Sequence, residues 1–352
     1  GTPTHSAVVD FLNSEEVPDL FVSSGSLMWG DDPEARPWTF GWQPDYEIEG
    51  KIIAQYVAQN FPDAKVGLFV QDDDFGRDGE KGARHYLENQ IVDVERYTPG
   101  NTDVAPQIAA LQAAGADLVI GFNVPSYTAL SQLQSLRLNY KPQWIYSNVG
   151  SDPTLVGSLL ARFSEGAVTD AGLLEGVLTT EYLPGVDTPD NPWMQLFQRV
   201  WDANGGDGEL TNYHVYGMAE AYTFVQALQA ADAAVLPSHY EPFGIVALEA
   251  AATGTPLVTS NVGGLGEAVI NGQTGMSFAP RDVVGLAAAV RAVLDDPEAA
   301  QRRAIAARER LSADFDWHTV AAETSQVYLA AKRAEREPHP RRPIVEHALP
   351  ER

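Results

Sequence analysis

The chain of 352 residues carries 48 Asp and Glu against 23 Lys and Arg, a formal net charge of −25, and it has no cysteine. This acidic balance argues against nucleic acids and anionic membranes as partners because both repel it. The missing thiols exclude disulfides, thiolate metal sites and a cysteine nucleophile. A hydrophobic fraction of 44% is enough to fill the cores of two domains of ordinary size.

Targeting signals are not evident in the sequence. No apolar run approaches the roughly 18 uncharged residues that would span a bilayer. The first residues, "GTPTHSAVVDFLNSEE", lack the basic start and apolar centre of a signal peptide. The sequence therefore predicts neither membrane insertion nor export, and it leaves the localisation unknown.

Short apolar runs alternate with segments of helical spacing over the first part of the chain. The runs at 17–24, 64–74, 116–123 and 142–149 have the length of strands and are apolar on both faces, as in buried parallel strands. Helical spacing is found at 45–61, 74–90, 103–115 and 126–140. This βαβ alternation predicts an α/β fold with doubly wound parallel sheets.

Polar residues follow the predicted strands at the edge where such sheets bind ligands. Ser24 and Ser26 follow the first run, Asn123 the third and Asn148 the fourth. They offer uncharged hydrogen bonding, and no catalytic His, nucleophile elbow or Gly-rich phosphate loop accompanies them. These residues predict solute binding without catalysis and without a cofactor. Turn and cap roles explain the same residue types equally well.

Three consecutive acids follow the second run, at 72–74. A metal site would need further ligands at suitable spacing, and adjacent carboxylates rarely all reach one cation. We expect a turn and a helix N-cap here, and no metal site.

Five segments carry a resemblance to a known family. They are "VPDLFVSSGS", "PWTFGWQPDYEIEG", "KVGLFVQDDDFGRDGEKGAR", "DVAPQIAALQAAGADLVIGFN" and "KPQWIYSNVGSD". In this order they resemble type 1 periplasmic solute-binding proteins of the branched-chain amino acid and amide ABC transporter group, over about residues 1–230. The resemblance implies two α/β lobes that close over a small solute, and an ABC permease as partner.

The same resemblance implies roles for the four polar residues. Ser24 and Ser26 would face a ligand carboxylate, and Asn123 and Asn148 would approach from the opposite lobe. Several relatives have an acidic residue where Asn148 stands, which argues against an amino acid ligand. The family's chains begin earlier than "GTPTHSA", a segment that we predict to be a loop. We therefore expect a truncated region at 1–230, with two partial lobes and weak solute binding.

The following region, about 231–334, has a different resemblance. Its signature is Glu241, seven residues and then Glu249, with "PFG" at a helix start and "NVGG" after the next apolar run. It resembles the donor-binding half of GT-B glycosyltransferases of family 4, a partial Rossmann-like fold. The resemblance implies that Glu241 contacts a donor sugar as the catalytic residue and that Glu249 holds ribose. The other nucleotide-sugar contacts would be Phe243, Gly244, Ile245, Gly263 and Gly264.

Local physical chemistry fits a nucleotide-diphosphate sugar in this region. Pro242 suits the first turn of a helix, whose amides at 243–245 would favour a diphosphate. The alternative is that Glu241 and Glu249 are ordinary helix acids. The resemblance also implies a basic pair on a preceding unit and an acceptor-binding lobe, and both are missing here.

Two functions therefore remain open. The first is a binding module for a small polar solute, an amino acid or amide, impaired by truncation and fused near Ala230 to an incomplete glycosyltransferase half. The alternative is a retaining glycosyltransferase that uses a nucleotide-diphosphate sugar, and the missing basic pair predicts that it is inactive. The tail at 335–352 combines four prolines with dense charge, which predicts disorder.

Overall fold

The computed structural model describes residues 1–168 and 171–334. The chain divides into two compact units, Gly1–Ala221 (unit 1) and Tyr222–Arg352 (unit 2). The predicted disordered tail at 335–352 lies outside the described residues. The family-based boundary near residue 230 stays a prediction.

Unit 1 contains a five-stranded and a two-stranded sheet, both parallel. The strands are Asp19–Val22 (β1), Thr39–Gly41 (β2), Val66–Gln71 (β3), Ile91–Tyr97 (β4), Leu118–Phe122 (β5), Gln143–Tyr146 (β6) and Leu178–Thr179 (β7). The helices are Thr2–Ser6 (α1), Val9–Ser14 (α2), Tyr46–Asn60 (α3), Asp74–Leu87 (α4), Ala105–Ala113 (α5), Pro125–Arg137 (α6), Pro153–Phe163 (α7), Pro192–Ala203 (α8) and Asn212–Ala230 (α9). β1 pairs with β2, and the larger sheet has the order β4-β3-β5-β6-β7. The predicted doubly wound parallel α/β fold is confirmed.

The central strands of the larger sheet are buried on both faces because they are almost entirely apolar. Every residue of β3 and β5 is buried. Leu68 and Val70 pack toward α3 and α4, whereas Phe69 packs on the other face toward α5 and α6. The prediction of strands buried on both faces is correct here but wrong for β1, whose residues are mostly solvent-accessible. "GTPTHSA" is also not a loop, because α1 lies within it.

Helices α3 and α4 approach each other through glycines. A Cβ atom at Gly82 would lie 2.2 Å from the carbonyl oxygen of Glu47, and one at Gly50 would lie 2.5 Å from the carbonyl oxygen of Gly79. Neither distance is compatible with a side chain, so the close approach depends on glycine.

The three consecutive acids at 72–74 form a turn and a helix cap. The Asp73 side chain accepts a hydrogen bond from the amide of Gly76 and caps α4. Asp74 forms an ion pair with Arg77 at 2.9 Å. The prediction of a turn and an N-cap is confirmed.

Unit 2 has its own parallel sheet, of three strands in the order β10-β9-β8. Its strands are Ala234–Leu236 (β8), Leu257–Ser260 (β9) and Met276–Phe278 (β10). Its helices are Ile245–Thr253 (α10), Gly263–Ala268 (α11), Val283–Leu294 (α12), Pro297–Asp314 (α13) and Trp317–Ala334 (α14), and the last residues of α9 also belong to it. Within the described ranges, no helix is both long and apolar enough to cross a membrane.

Candidate functional site

A cleft of about 410 Å³ opens in unit 1 beside the carboxyl ends of β3 and β6. Its lining includes Tyr46, Asn148, Asp152, Glu181, Tyr213 and Tyr216. Among the described residues that line it there is no Lys or Arg. The cleft is therefore a mixed aromatic and acidic site at the sheet edge where the sequence places a ligand.

The structure brings only one of the four predicted ligand residues to this cleft, Asn148. The Ser24 hydroxyl lies 2.7 Å from that of Thr2, and the Ser26 hydroxyl accepts the amide of Met28 in a short helical turn. Asn123 is fully buried and donates to the Thr128 hydroxyl at 2.5 Å. Ser24, Ser26 and Asn123 thus make internal cap and turn contacts, and their ligand roles stay predictions.

A buried acid that the sequence analysis missed lies behind Asn148. One carboxylate oxygen of Glu49 accepts the backbone and side-chain amides of Asn148, both at 2.8 Å, and the hydroxyl of Thr180. The other oxygen accepts the Ser147 hydroxyl at 3.0 Å. Burial raises the pKa of Glu49 and outweighs these hydrogen bonds, which lower it.

The position of Glu49 changes the interpretation of Asn148. Glu49 of α3 binds Asn148 from behind and does not itself line the cleft. A signal for this was present, because Glu49 stands four and eight residues before Ile53 and Val57 on the buried stripe of α3.

Glu181 is the acidic side chain at the cleft that titrates near neutral pH. Desolvation by the cleft wall, with smaller contributions from the nearby Asp187 and Asp152, raises the pKa of Glu181 to about 7. Both oxygens of Asp152 are occupied, since they accept the amides of Leu155 and Asn212 at 2.7 Å. Glu181 therefore has the greater capacity to respond to a ligand.

In unit 2, the structure brings most of the predicted nucleotide-sugar residues together. The amide of Gly264 donates to the carbonyl oxygen of Glu241 at 3.0 Å. A Cβ atom at Gly263 or Gly264 would lie 2.1 Å from the carbonyl oxygen of Glu241 or Phe243, respectively. The two glycines therefore allow the "EPFG" segment to lie directly against the start of α11.

Two details of this region differ from the predicted helix start. α10 begins at Ile245, after a left-handed Gly244 with φ of 84°, so Pro242 precedes the helix instead of lying in its first turn. The amide of Gly244 donates to a carboxylate oxygen of Glu241 at 3.1 Å. That donor is thus occupied by the chain itself, and Glu249 is exposed farther along α10. The sugar-donor roles of these residues stay predictions.

Sequence comparison places the chain in a family. The profile described as "Periplasmic binding protein" matches residues 1–274. The chain belongs to the periplasmic binding protein family. A solved structure of a possible leucine/isoleucine/valine-binding protein from Rhodopirellula baltica SH 1 has a similar fold, with a TM-score of 0.56 at 16% identity over 66% of this chain and 61% of that one.

Curated relatives of this periplasmic binding protein family member have glycosyltransferase names. "Glycogen synthase" of Mycobacterium tuberculosis H37Rv is 82% identical over 125 residues, which are 36% of this chain and 30% of that protein. "D-inositol 3-phosphate glycosyltransferase" of Geodermatophilus obscurus is 44% identical over 320 residues, 88% of this chain and 59% of that protein. The chain thus spans less than two thirds of either relative.

Proposed function

We propose that unit 1 binds a small polar solute, an amino acid or an amide, and delivers it to an ABC-type permease. The observation that carries this proposal is the cleft of about 410 Å³ beside the ends of β3 and β6 in a periplasmic binding protein. Its volume lies within the range of small-molecule sites, and ligands of parallel α/β sheets bind at this edge.

The lining favours a solute with an ammonium or amide group. Glu181 offers a carboxylate, and the rings of Tyr46, Tyr213 and Tyr216 line the same cleft. Aromatic faces and a carboxylate both attract an ammonium group. An uncharged amide could hydrogen-bond to the same groups and would not depend on the charge of Glu181.

The pH dependence of binding separates these two solute classes. Because the pKa of Glu181 is about 7 in the free protein, the acid loses its charge below that pH. The affinity for an amino acid such as leucine should therefore fall as the pH is lowered from 7 to 5, whereas that for acetamide should not change. Titration calorimetry at several pH values measures both.

The matched variant is Glu181→Gln, which keeps the shape of the side chain and removes its titration. Leucine should bind to it weakly and with no pH dependence between 5 and 7. A pH profile identical to that of the unmodified protein would contradict the role of Glu181. No binding of any amino acid or amide would contradict the proposed function.

A second candidate function concerns unit 2. We infer that the 125-residue match to the mycobacterial relative lies in this unit. The contact of Glu241 and Phe243 with Gly263 and Gly264 supports a donor-binding fragment joined to the solute-binding region. Residues 200–280 contain no Lys or Arg. We propose that this fragment binds nucleotide diphosphates weakly and does not turn over sugar donors.

Sequencing the source DNA across the codons for residues 220–245 tests whether the two regions are joined in the gene.

Absence of turnover is the expected result with UDP-, GDP- and ADP-sugars. A helix N-terminus contributes only about 0.3 to 1 kcal/mol to anion binding, whereas loss of one preorganised donor to a developing charge costs about 3 to 4 kcal/mol of barrier. Nucleoside diphosphate release should thus equal the buffer blank. Release above the blank that disappears in Glu241→Ala would make glycosyl transfer the leading function.

A further inference from the structure

The aromatic side chains at the cleft of unit 1 form one connected group. Tyr182 follows β7, whereas Tyr213 and Tyr216 lie near the start of α9, and all three line the cleft. The Trp42 ring packs edge-on against the rings of Tyr182 and Tyr216, with centroid distances of 6.4 and 5.1 Å. Because Trp42 holds tyrosines from two separate segments, the cleft has an ordered aromatic wall.

The hydroxyl groups of these tyrosines are engaged or buried within the protein. The Tyr213 hydroxyl donates to the carbonyl oxygen of Val149 at 2.6 Å, and the Tyr182 hydroxyl donates to the side-chain oxygen of Gln43 at 3.4 Å. The Tyr216 hydroxyl oxygen is buried. Because the three tyrosines still line the cleft, what they offer a solute is the carbon surface of their rings.

Several polar acceptors at the cleft already accept hydrogen bonds from the chain. The side-chain oxygen of Gln71 accepts the Tyr97 hydroxyl, and that of Asn212 accepts the amide of Val186, both at 2.9 Å. Both carboxylate oxygens of Asp152 accept backbone amides. A primary ammonium group has three N–H donors, and a donor that is buried without an acceptor is costly. The cleft is therefore poorly suited to satisfy a primary ammonium group.

The charges at the cleft nevertheless favour a cation. Glu181 and Asp152 both line it, and Glu181 is exposed. Among the described lining residues, the only cationic group is the terminal ammonium of Gly1, which is exposed and donates to the Thr4 hydroxyl at 3.4 Å. Solvent screens a charge that is exposed in this way. A carboxylate attracts a nearby cation whether or not that cation can donate a hydrogen bond.

We propose that the solute of this cleft carries a quaternary ammonium group, as a trimethylated amine or amino acid does. Such a group has no N–H donor to satisfy, and the negative faces of aromatic rings attract its charge. The inference rests on the proposed function, that unit 1 binds a small solute in this cleft, and it names the chemical class of that solute.

Three probes that share a two-carbon alcohol chain test the inference: choline, ethanolamine and neohexanol. Choline carries a trimethylammonium group and ethanolamine a primary ammonium group. Neohexanol is the uncharged analogue in which a carbon atom replaces the nitrogen of choline. Titration calorimetry of the full chain at pH 8, above the pKa of Glu181 of about 7, measures their affinities. Choline should bind at least about tenfold more tightly than either of the other probes.

Substitution of Tyr213 tests the contribution of an aromatic ring. Tyr213→Leu keeps an apolar side chain without the ring, and it should weaken choline binding about tenfold and neohexanol binding much less. Tyr213→Phe keeps the ring and loses only the hydrogen bond to Val149, so it should bind choline more tightly than Tyr213→Leu does. The control is Tyr86→Leu on α4, which removes a ring that is 47% exposed, against 46% for Tyr213, and lies outside the cleft lining. It should leave the Kd for choline unchanged, and thermal melts establish that each variant is folded.

The outcomes separate this inference from the proposed function. Choline that binds no more tightly than ethanolamine or neohexanol, or equally well to Tyr213→Leu, would overturn the quaternary ammonium class. If leucine or acetamide binds and choline does not, the proposed function stands and the inference is wrong. If none of these solutes binds, the proposed function fails and the inference fails with it.

Discussion

Replacing Glu49 with Ala should lower the free energy of unfolding of unit 1 by about 3 to 5 kcal/mol. The carboxylate accepts hydrogen bonds from Ser147, Asn148 and Thr180, which follow two different strands. Removal of the side chain takes the acceptor from all three, and Ser147 is fully buried, where an unpaired donor costs about 1 to 3 kcal/mol. It also leaves a cavity beside α3.

Urea denaturation followed by tryptophan fluorescence measures this effect in the complete chain. Six of the seven tryptophans lie in unit 1, and only Trp317 lies in unit 2. The fluorescence transition therefore reports mainly on unit 1. A loss below about 1 kcal/mol would mean that water satisfies the donors, and it would contradict the buried network.

Glu49→Gln is the matched control because it keeps the volume and two polar atoms. Burial raises the pKa of Glu49 in the folded protein, so its favourable contribution is present below the unfolded pKa of about 4.5 and is lost as the pH rises through the folded pKa. Gln does not titrate. The stability of Glu49→Gln relative to the unmodified protein should therefore rise between pH 5 and pH 8.

The strands that the sequence predicts well are those that are buried on both faces. β3, β5 and β6 appear as short apolar runs because helices cover both faces of the sheet at these strands. β4 was not predicted, since it is an edge strand whose sequence, "IVDVERY", mixes charged with apolar residues. Edge strands face solvent, so the apolar signal weakens where the sheet ends.

The sequence predicted the position of the candidate site only as far as the carboxyl ends of the parallel strands. The rule that ligands bind at the carboxyl ends of parallel strands selected Asn148, which lines the cleft, and also Ser24 and Asn123, whose side chains are buried away from it. Glu49 comes from a helix, and Glu181 comes from a segment after the edge strand β7. The helical stripe of α3 indicates that Glu49 is buried, but the approach of Glu49 to Asn148 and of Glu181 to the cleft is a long-range contact that no local pattern encodes.

The glycines of α4 illustrate a signal that local patterns do encode. Gly76, Gly79 and Gly82 recur every third residue in "DFGRDGEKGAR" and fall on one face of the helix. By their low helix propensity alone, these glycines would only destabilise α4. As a stripe without side chains, they predict that a neighbouring element approaches this face of α4 closely. The backbone of α3 and the Phe122 ring lie against it.

Gly82→Ala should therefore destabilise unit 1 by about 3 kcal/mol, the upper end of the usual cost of overpacking. The added Cβ would lie 2.2 Å from the carbonyl oxygen of Glu47 and 2.9 Å from the Cα of Gly50. Both atoms belong to the backbone of α3, so no side-chain rotation can relieve the clash and the helices must separate. Separation would expose the buried residues between them, among them Ile53 and Leu87.

Gly217→Ala makes the same chemical change where there is room for it. Gly217 lies exposed within α9, and a Cβ there meets nothing within 4 Å. Because Ala restricts the unfolded chain and favours helix, this variant should gain about 0.5 to 1 kcal/mol. In the fluorescence-detected urea transition the two variants should move the midpoint in opposite directions. A midpoint for Gly82→Ala at or above that of the unmodified protein would show that α3 and α4 do not pack at backbone contact.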